Sequence, residues 1–164
     1  MLNKNLHLRV FALIFLFCFM AIGNLQAKSD NRLNGKWAAI EEGMELEFRL
    51  NNGNFEASID GVPFEKGNYT ANSGTITFNI THIYGANLLF VNMGLKLDSK
   101  WYTANELIVA VRPIFTEKGL PEKEINNIIH EMILRFNNDT RNYSVDANTL
   151  ILTDNDGAMI FNKK

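Results

Sequence analysis

The pattern that most limits the fold of this chain is a strict two-residue alternation. From Met44 to Leu50, four apolar residues alternate with three charged ones. This is typical of an antiparallel strand with one face in a core and the other in water. Asn52-Gly53 comes next, and this pair tolerates the positive φ angles of a hairpin turn. A second alternating run, from Phe55 to Ile59, therefore predicts the partner strand.

Similar runs, separated by turns rich in Asn, Asp and Gly, recur along most of the chain. In one of them, Ile76, Phe78, Ile80 and His82 share a face, so all four are expected on the same side of the sheet. Eight strands are predicted in total, and they cover residues 35–41, 44–50, 54–60, 62–70, 75–83, 142–145, 149–153 and 158–162.

Between the fifth and sixth predicted strands, residues 84–136 form a helical or irregular insertion. Pro121 to Phe136 has the periodicity of an amphipathic helix, with Pro121 at the first helical position and Arg135 in the last turn. Thr103 to Glu106 resembles a capping box for a helix through Val111, although that apolar segment suits a strand equally well. Residues 84–97 show no clear period.

The N-terminus has the three parts of a cleavable secretory signal. Lys4 and Arg9 precede an apolar run of 13 residues, and cleavage is expected after Ala27. The run is shorter than the roughly 20 residues that span a bilayer. Cys18, the one cysteine of the chain, lies inside this run, so the mature chain would form no disulfide. The sequence predicts a signal peptide at 1–27, a flexible tail at 28–34 and one exported domain at 35–164, in the periplasm, secreted or at the cell surface.

The charge of the mature chain limits its partners. Without Lys4 and Arg9, 14 basic residues remain against 18 acidic ones, which gives a net charge of −4. Nucleic acid and anionic lipid both attract basic surfaces, so neither is an expected partner. After cleavage, no stable insertion into a membrane is expected.

Gly35-Lys36-Trp37, at the start of the first strand, resembles the Gly-x-Trp signature of lipocalins and their calycin relatives. With Lys100-Trp101-Tyr102, the strand pattern is similar to that of small exported bacterial lipocalin-like proteins. The resemblance implies a mainly β fold, an eight-stranded antiparallel up-and-down barrel with a helical insertion between strands 5 and 6. It also implies that Trp37 closes the barrel base under a basic residue, here Lys163 or Lys164 in place of the usual arginine.

Residues with catalytic or metal-binding chemistry are sparse. His82 and His130 have no further metal ligands at suitable spacing, and Asp154 to Gly157 lacks the distal glutamate of a calcium loop and suits a hairpin turn. No Ser or Thr has the setting of an activated nucleophile. The chain is therefore expected to be no enzyme and to need neither a metal nor a cofactor. Four Asn-x-Ser/Thr sequons, at Asn68, Asn79, Asn138 and Asn142, are explained by turns rich in asparagine.

Two functional hypotheses remain from the sequence. In the first, the barrel binds a small hydrophobic molecule, as apolar pockets with few polar groups do. In the second, the same side chains fill a closed core, and the surface acts as a protein–protein interaction or inhibitor domain. The predicted ligand-binding residues are Met44, Leu46, Phe48, Phe55, Ile59, Phe64, Tyr69, Phe78, Ile80 and His82. The helix would cover one rim, with Ile125, Ile129, Met132 and Phe136 facing the barrel.

Overall fold

The computed structural model describes residues 30–155 and 157–164, and the predicted signal peptide lies outside these residues. The strands are β1 (Gly35–Glu41), β2 (Met44–Asn51), β3 (Asn54–Ile59), β4 (Val62–Asn72), β5 (Thr75–Tyr84), β6 (Trp101–Tyr102), β7 (Asn138–Val145), β8 (Thr149–Asp154) and β9 (Gly157–Lys163). The helices are α1 (Leu88–Asn92), α2 (Ala104–Glu117) and α3 (Glu122–Leu134).

Eight of these strands form a closed barrel. Each of β1, β2, β3, β4, β5, β7, β8 and β9 pairs antiparallel with the next, and β9 pairs with β1. The two-residue strand β6 lies outside this ring and pairs with the end of β5. The predicted up-and-down barrel with a helical insertion is confirmed, and the insertion runs from the end of β5 to the start of β7.

Four two-residue turns connect the first five strands. In each, a residue with positive φ precedes a glycine with positive φ, as in Asn52-Gly53, where the angles are 47° and 82°. The other three are Glu42-Gly43, Asp60-Gly61 and Ser73-Gly74. Turns of this shape match the twist of paired strands, so they fix the register of each hairpin.

Strand β7 starts earlier than the alternation predicted, at Asn138 instead of Asn142. Its first residues pair with β5, and Asn138 is opposite Asn79. The prediction was wrong here because two inward positions of this segment, Asp139 and Arg141, carry charges. An apolar period therefore could not reveal the strand.

The segment after Thr103, for which the sequence allowed either a helix or a strand, is a helix. Thr103 accepts a hydrogen bond from the Glu106 backbone N–H, and the Glu106 carboxylate accepts one from the Thr103 backbone N–H. The helix α2 continues past Val111 and ends at Glu117. Its buried residues, Leu107, Val111 and Phe115, recur every four positions, which is the spacing of one helix face.

Helix α3 also matches the prediction, with a different start and end. Pro121 is the N-cap rather than the first helical residue, and the helix spans Glu122–Leu134. It ends before Phe136, so Arg135 is the C-cap rather than a residue of the last turn. Its inner residues Ile125, Ile129 and Met132 are buried in the same core as the side chains inside the barrel. Among the described residues, no helix is long and apolar enough to cross a membrane.

The tail predicted at 28–34 is ordered in its described part, which corrects that expectation. Asn31–Leu33 forms a 3-10 turn, and Asp30 caps it by accepting a hydrogen bond from the Arg32 backbone N–H. Leu33 is fully buried. Hydrogen bonds add to this burial, since the Tyr143 hydroxyl donates to the Asp30 carboxylate at 3.0 Å and the Asn52 backbone N–H donates to Asn34 Oδ1 at 2.8 Å.

Candidate functional site

Trp37 closes one end of the barrel, which we call the closed end. The indole N–H donates a 2.7 Å hydrogen bond to the carbonyl oxygen of Leu33, and the ring is fully buried. Lys163 places its ammonium 5.2 Å from the centre of the Trp37 ring, within the range of a cation–π contact. Lys164 lies elsewhere and pairs with Glu45 at 2.6 Å. This arrangement has the same components as the base that the lipocalin resemblance implied.

Aromatic rings fill the barrel next to the closed end. The Phe78 ring lies at the centre, 5.1 Å from Phe55, 5.7 Å from Phe48 and 6.3 Å from Tyr69 between ring centroids. Phe48 also meets Phe161 edge to face at 5.3 Å. These distances are those of rings in direct contact. Four of the predicted ligand-binding residues (Phe48, Phe55, Tyr69 and Phe78) therefore form a packed core in this half of the barrel.

At the opposite end, which we call the rim, the inner face becomes accessible to solvent. Along β2, Phe48 is buried, whereas Leu46 and Met44, closer to the rim, are half-buried. Ile59, opposite Leu46 on β3, is also half-buried. These three residues form an apolar and partly open edge, which we call the β2–β3 rim. Two further predicted residues, Phe64 and Ile80, are buried.

His82 does not share a face with Ile80, which corrects the sequence prediction. The pairing of β4 with β5 shifts by one residue between Lys66 and Gly67, so Gly67 is opposite Ile80 and Lys66 is opposite His82. Such a bulge reverses the alternation that follows it. His82 is consequently half-buried on the outer face, where it lines a groove of about 360 Å3 with Arg49 and Lys66.

A buried ion-pair cluster lies inside the barrel between β7 and β8. Arg141, 1% exposed at its side chain, has its Nε 2.9 Å from Asp139 Oδ2 and its Nη1 3.2 Å from Asp154 Oδ2. Asp139 and Arg141 are two residues apart, so they share a face of β7. Burial raises the pKa of Asp139, and Arg141 opposes this shift. Asp154 also ends β8 and accepts a hydrogen bond from the Gly157 backbone N–H, as the predicted hairpin turn requires.

Glu65 adds another carboxyl group to this part of the barrel. A bulge in β4 leaves both Phe64 and Glu65 buried, with Glu65 opposite Ile83 on β5. Loss of hydration raises the pKa of Glu65 to about 7. The positive charges of Arg135 and Arg141 oppose this shift, while Asp139 adds to it. Glu65 therefore keeps its proton to a higher pH than a solvated glutamate does.

The helical insertion packs against the rim. It leaves the barrel after Tyr84 and returns at Asn138, so its two ends are fixed there. Arg135, at the end of α3, lies 6.0 Å from the centre of the Phe64 ring. Phe136, the fourth residue predicted to face the barrel, is half-buried and contacts the core.

The outer carboxylates of β2 are paired with lysines. Glu47 lies 3.1 Å from Lys36, and Glu45 lies 2.6 Å from Lys164. Glu41 and Glu42 are exposed. His130 is exposed on α3. Within residues 30–155 and 157–164, no three His, Cys, Asp or Glu side chains are placed to hold a metal ion.

No protein-family model, curated protein or solved structure matches this chain. The fold is that of a lipocalin-like barrel, which is compatible with a binding role. Sequence reasoning missed Glu65, Asp139 and Arg141, and it assigned Asp154 only to a hairpin turn. A usable signal was the two-residue spacing that Asp139 and Arg141 share with Tyr143 and Val145, which places two charges on the inner face of one strand.

Proposed function

We propose that this chain is an exported binding protein that holds a small, largely apolar ligand at the rim of its barrel. The observation that carries the proposal is the β2–β3 rim, where Met44, Leu46 and Ile59 are apolar, adjacent and partly open to solvent. Because aromatic rings occupy the half near the closed end, the ligand would lie between this rim and the helical insertion rather than deep in the barrel.

Glu65 supports the same location, because it is opposite Ala57 on β3, two residues from Ile59. Glu65 and the Asp139–Arg141 pair lie inside the barrel, where each charge loses hydration at considerable cost. Ligand pockets combine apolar walls with a few polar groups that orient the ligand. A protonated Glu65 would offer a hydrogen-bond donor to an oxygen of an otherwise apolar molecule. We propose binding without catalysis, and without nucleic acid or a metal as partner.

The experiment uses the mature chain, purified and analysed by native mass spectrometry for a co-purified small molecule. Binding is then measured by fluorescence titration with the apolar dye N-phenyl-1-naphthylamine. Leu46→Gln places an amide on the β2–β3 rim and should weaken dye binding at least tenfold. The matched control is Ile40→Gln on the outer face of β1, where the side chain is 76% exposed. This control should bind the dye as the wild type does.

Two results would contradict the rim site. One is the absence of both a co-purified molecule and dye binding by the folded protein. The other is an equal loss of binding in the Leu46→Gln and Ile40→Gln variants, since it would place the dye on the outer surface.

The packed aromatic half of the barrel favours a second candidate, a filled barrel that binds another protein. Exposed apolar side chains are available for such a contact on neighbouring strands, with Ile40 on β1 and Ile160 on β9. Apolar surface of this kind can mark a protein interface. This candidate predicts that Ile40→Gln, and not Leu46→Gln, alters binding to a protein captured from the exporting cell's envelope.

A further inference from the structure

Glu65 is a buried carboxyl group that has no partner of its own. The residue is 4% exposed, and it lies inside the barrel between Ala57 on β3 and Ile83 on β5. Among the described residues, none donates a hydrogen bond to this carboxyl group or forms an ion pair with it. Its oxygens are not completely enclosed, so a small molecule inside the barrel can reach them. Native proteins pair nearly all of their buried polar groups, and an exception of this kind points to a contact with a ligand.

The position of Glu65 places this carboxyl group directly below the apolar edge of the barrel. Ala57, opposite Glu65, precedes Ile59 by two residues on the inner face of β3, and Leu46 is opposite Ile59 on β2. Two residues along a strand span about 6.6 Å. A molecule whose apolar part lies on the β2–β3 rim can therefore direct a polar end inward to Glu65.

The charged groups around Glu65 belong to three other elements. Arg141 of β7 is paired with Asp139 at 2.9 Å and with Asp154 of β8 at 3.2 Å. Arg135, at the end of α3, is the other positive charge that acts on Glu65, together with Arg141. When Glu65 is ionised, three carboxylates are present with two guanidinium groups, which leaves one negative charge in excess. The head group that balances this cluster carries one positive charge.

We propose that the ligand at the rim is an apolar molecule with a protonated amine, and that the ammonium group binds the Glu65 carboxylate. This inference rests on the proposed function and names the class of its ligand. An ammonium group has only N–H donors, and the Glu65 carboxylate has only acceptors. Hydrogen bonds between charged groups are roughly twice as strong as neutral ones, so an amine gains more from Glu65 than an uncharged ligand does. A carboxylate ligand would instead add a second negative charge in excess.

Amine binding is linked to the proton of Glu65. Because burial raises the pKa of Glu65 to about 7, most of the free protein keeps this proton at pH 6 and has lost it at pH 8. An alkylamine, like lysine with its pKa of about 10.4, stays protonated at both values. The bound ammonium favours the ionised carboxylate, so binding at pH 6 releases a proton to solvent. The affinity for an amine should therefore be about tenfold lower at pH 6 than at pH 8.

The test is titration calorimetry of the mature chain with 1-octylamine, 1-octanol and octanoate, which share one apolar chain and differ in the head group. At pH 8, octylamine should bind at least tenfold more tightly than the other two. At pH 6, its binding should release close to one proton, measured in two buffers with different heats of ionisation. Octanol binding should release none.

Two variants assign this preference to Glu65. Glu65→Gln keeps the size of the side chain and removes its charge, so it should weaken octylamine binding at least tenfold at pH 8 and abolish its proton release. Octanol binding should stay within threefold of the wild type. Glu56→Gln, at an exposed position on the outer face of β3, is the matched control and should bind all three compounds as the wild type does.

The failure of the amine and the failure of the rim site give different results. Binding of octanol or octanoate at least as tight as that of octylamine would overturn the amine and leave the rim site in place. An unchanged octylamine affinity in Glu65→Gln would also overturn the amine. If the folded protein binds none of the three compounds and no N-phenyl-1-naphthylamine, the proposed function fails, and the amine with it.

Discussion

At the scale of single residues, one end of the barrel is closed by an apolar ring, whereas a buried ionisable carboxyl group lies nearer the other end. Trp37 closes one end with a fully buried ring and a satisfied indole N–H. Glu65, nearer the rim, places a carboxyl group where water is excluded. Trp37 stabilises the fold by burying apolar area. Glu65 reduces the stability of the fold whenever its carboxyl group is ionised.

Replacement of Trp37 by alanine should cost roughly 3–5 kcal/mol of unfolding free energy, because it leaves a cavity and removes a large buried ring. The urea midpoint of unfolding measures this loss. Trp101→Ala is the control, since Trp101 is only half-buried on the short strand β6 and should cost much less. Equal midpoints for the wild type and Trp37→Ala would show that Trp37 does not close the barrel.

Glu65 should make the protein less stable as the pH rises. Between its usual pKa of 4.5 and its raised pKa of about 7, the folded protein keeps a proton that the unfolded chain releases. Unfolding is therefore increasingly favoured through this window, and above pH 7 the full penalty, about 3 kcal/mol, remains. The raised pKa of Asp139 acts in the same direction.

In the Glu65→Gln variant, this loss of stability should largely disappear. The variant should exceed the wild type in unfolding free energy at pH 8, and the difference should shrink as the pH approaches 4.5. Glu56→Gln, at an exposed position on the outer face of β3, should follow the wild type at every pH. If the two variants show the same pH profile, Glu65 is not the group responsible.

At the scale of strands and helices, the sequence predicts what periodicity and turn chemistry can encode. The run from Met44 to Leu50 and the turn at Asn52-Gly53 define a hairpin by themselves, and the structure contains it. The bulge that turns His82 outward has no local signal, because it depends on how β4 and β5 are paired. The start of β7 was missed for a related reason, since its inner face carries Asp139 and Arg141.

The packing of the helical insertion is likewise an element-scale feature: α3 packs on α2, and α2 contacts β5 and β6. Ile129 lies on the buried face of α3, so Ile129→Asp would place a charge in an apolar environment at a cost of about 3 kcal/mol. Hydrogen exchange should show faster exchange of α3 amides while the barrel strands stay protected. Asn127→Asp, exposed on the same helix, should leave both unchanged. Loss of protection throughout the barrel would mean that α3 is part of the fold's main cooperative unit rather than a separable cover.

At the scale of the whole molecule, two kinds of outer surface divide the barrel. Strands β1 and β2 carry paired charges such as Lys36–Glu47, whereas uncharged Asn and Thr side chains stand in register on the outer face of β4, β5 and β7. Exposed ion pairs contribute little to stability, so this division concerns solubility and contacts more than folding.

Export is the last prediction, and it concerns the whole chain. The basic residues Lys4 and Arg9, the short apolar run and Ala27 predict removal of the first 27 residues, so the mature protein should begin near Lys28. N-terminal sequencing of protein recovered from outside the cytoplasm measures this directly. Ala27→Arg should block cleavage, because the peptidase requires a small residue there, whereas Lys28→Arg should leave it intact. A full-length product that can be extracted only from the membrane would show instead that the apolar run is a retained anchor.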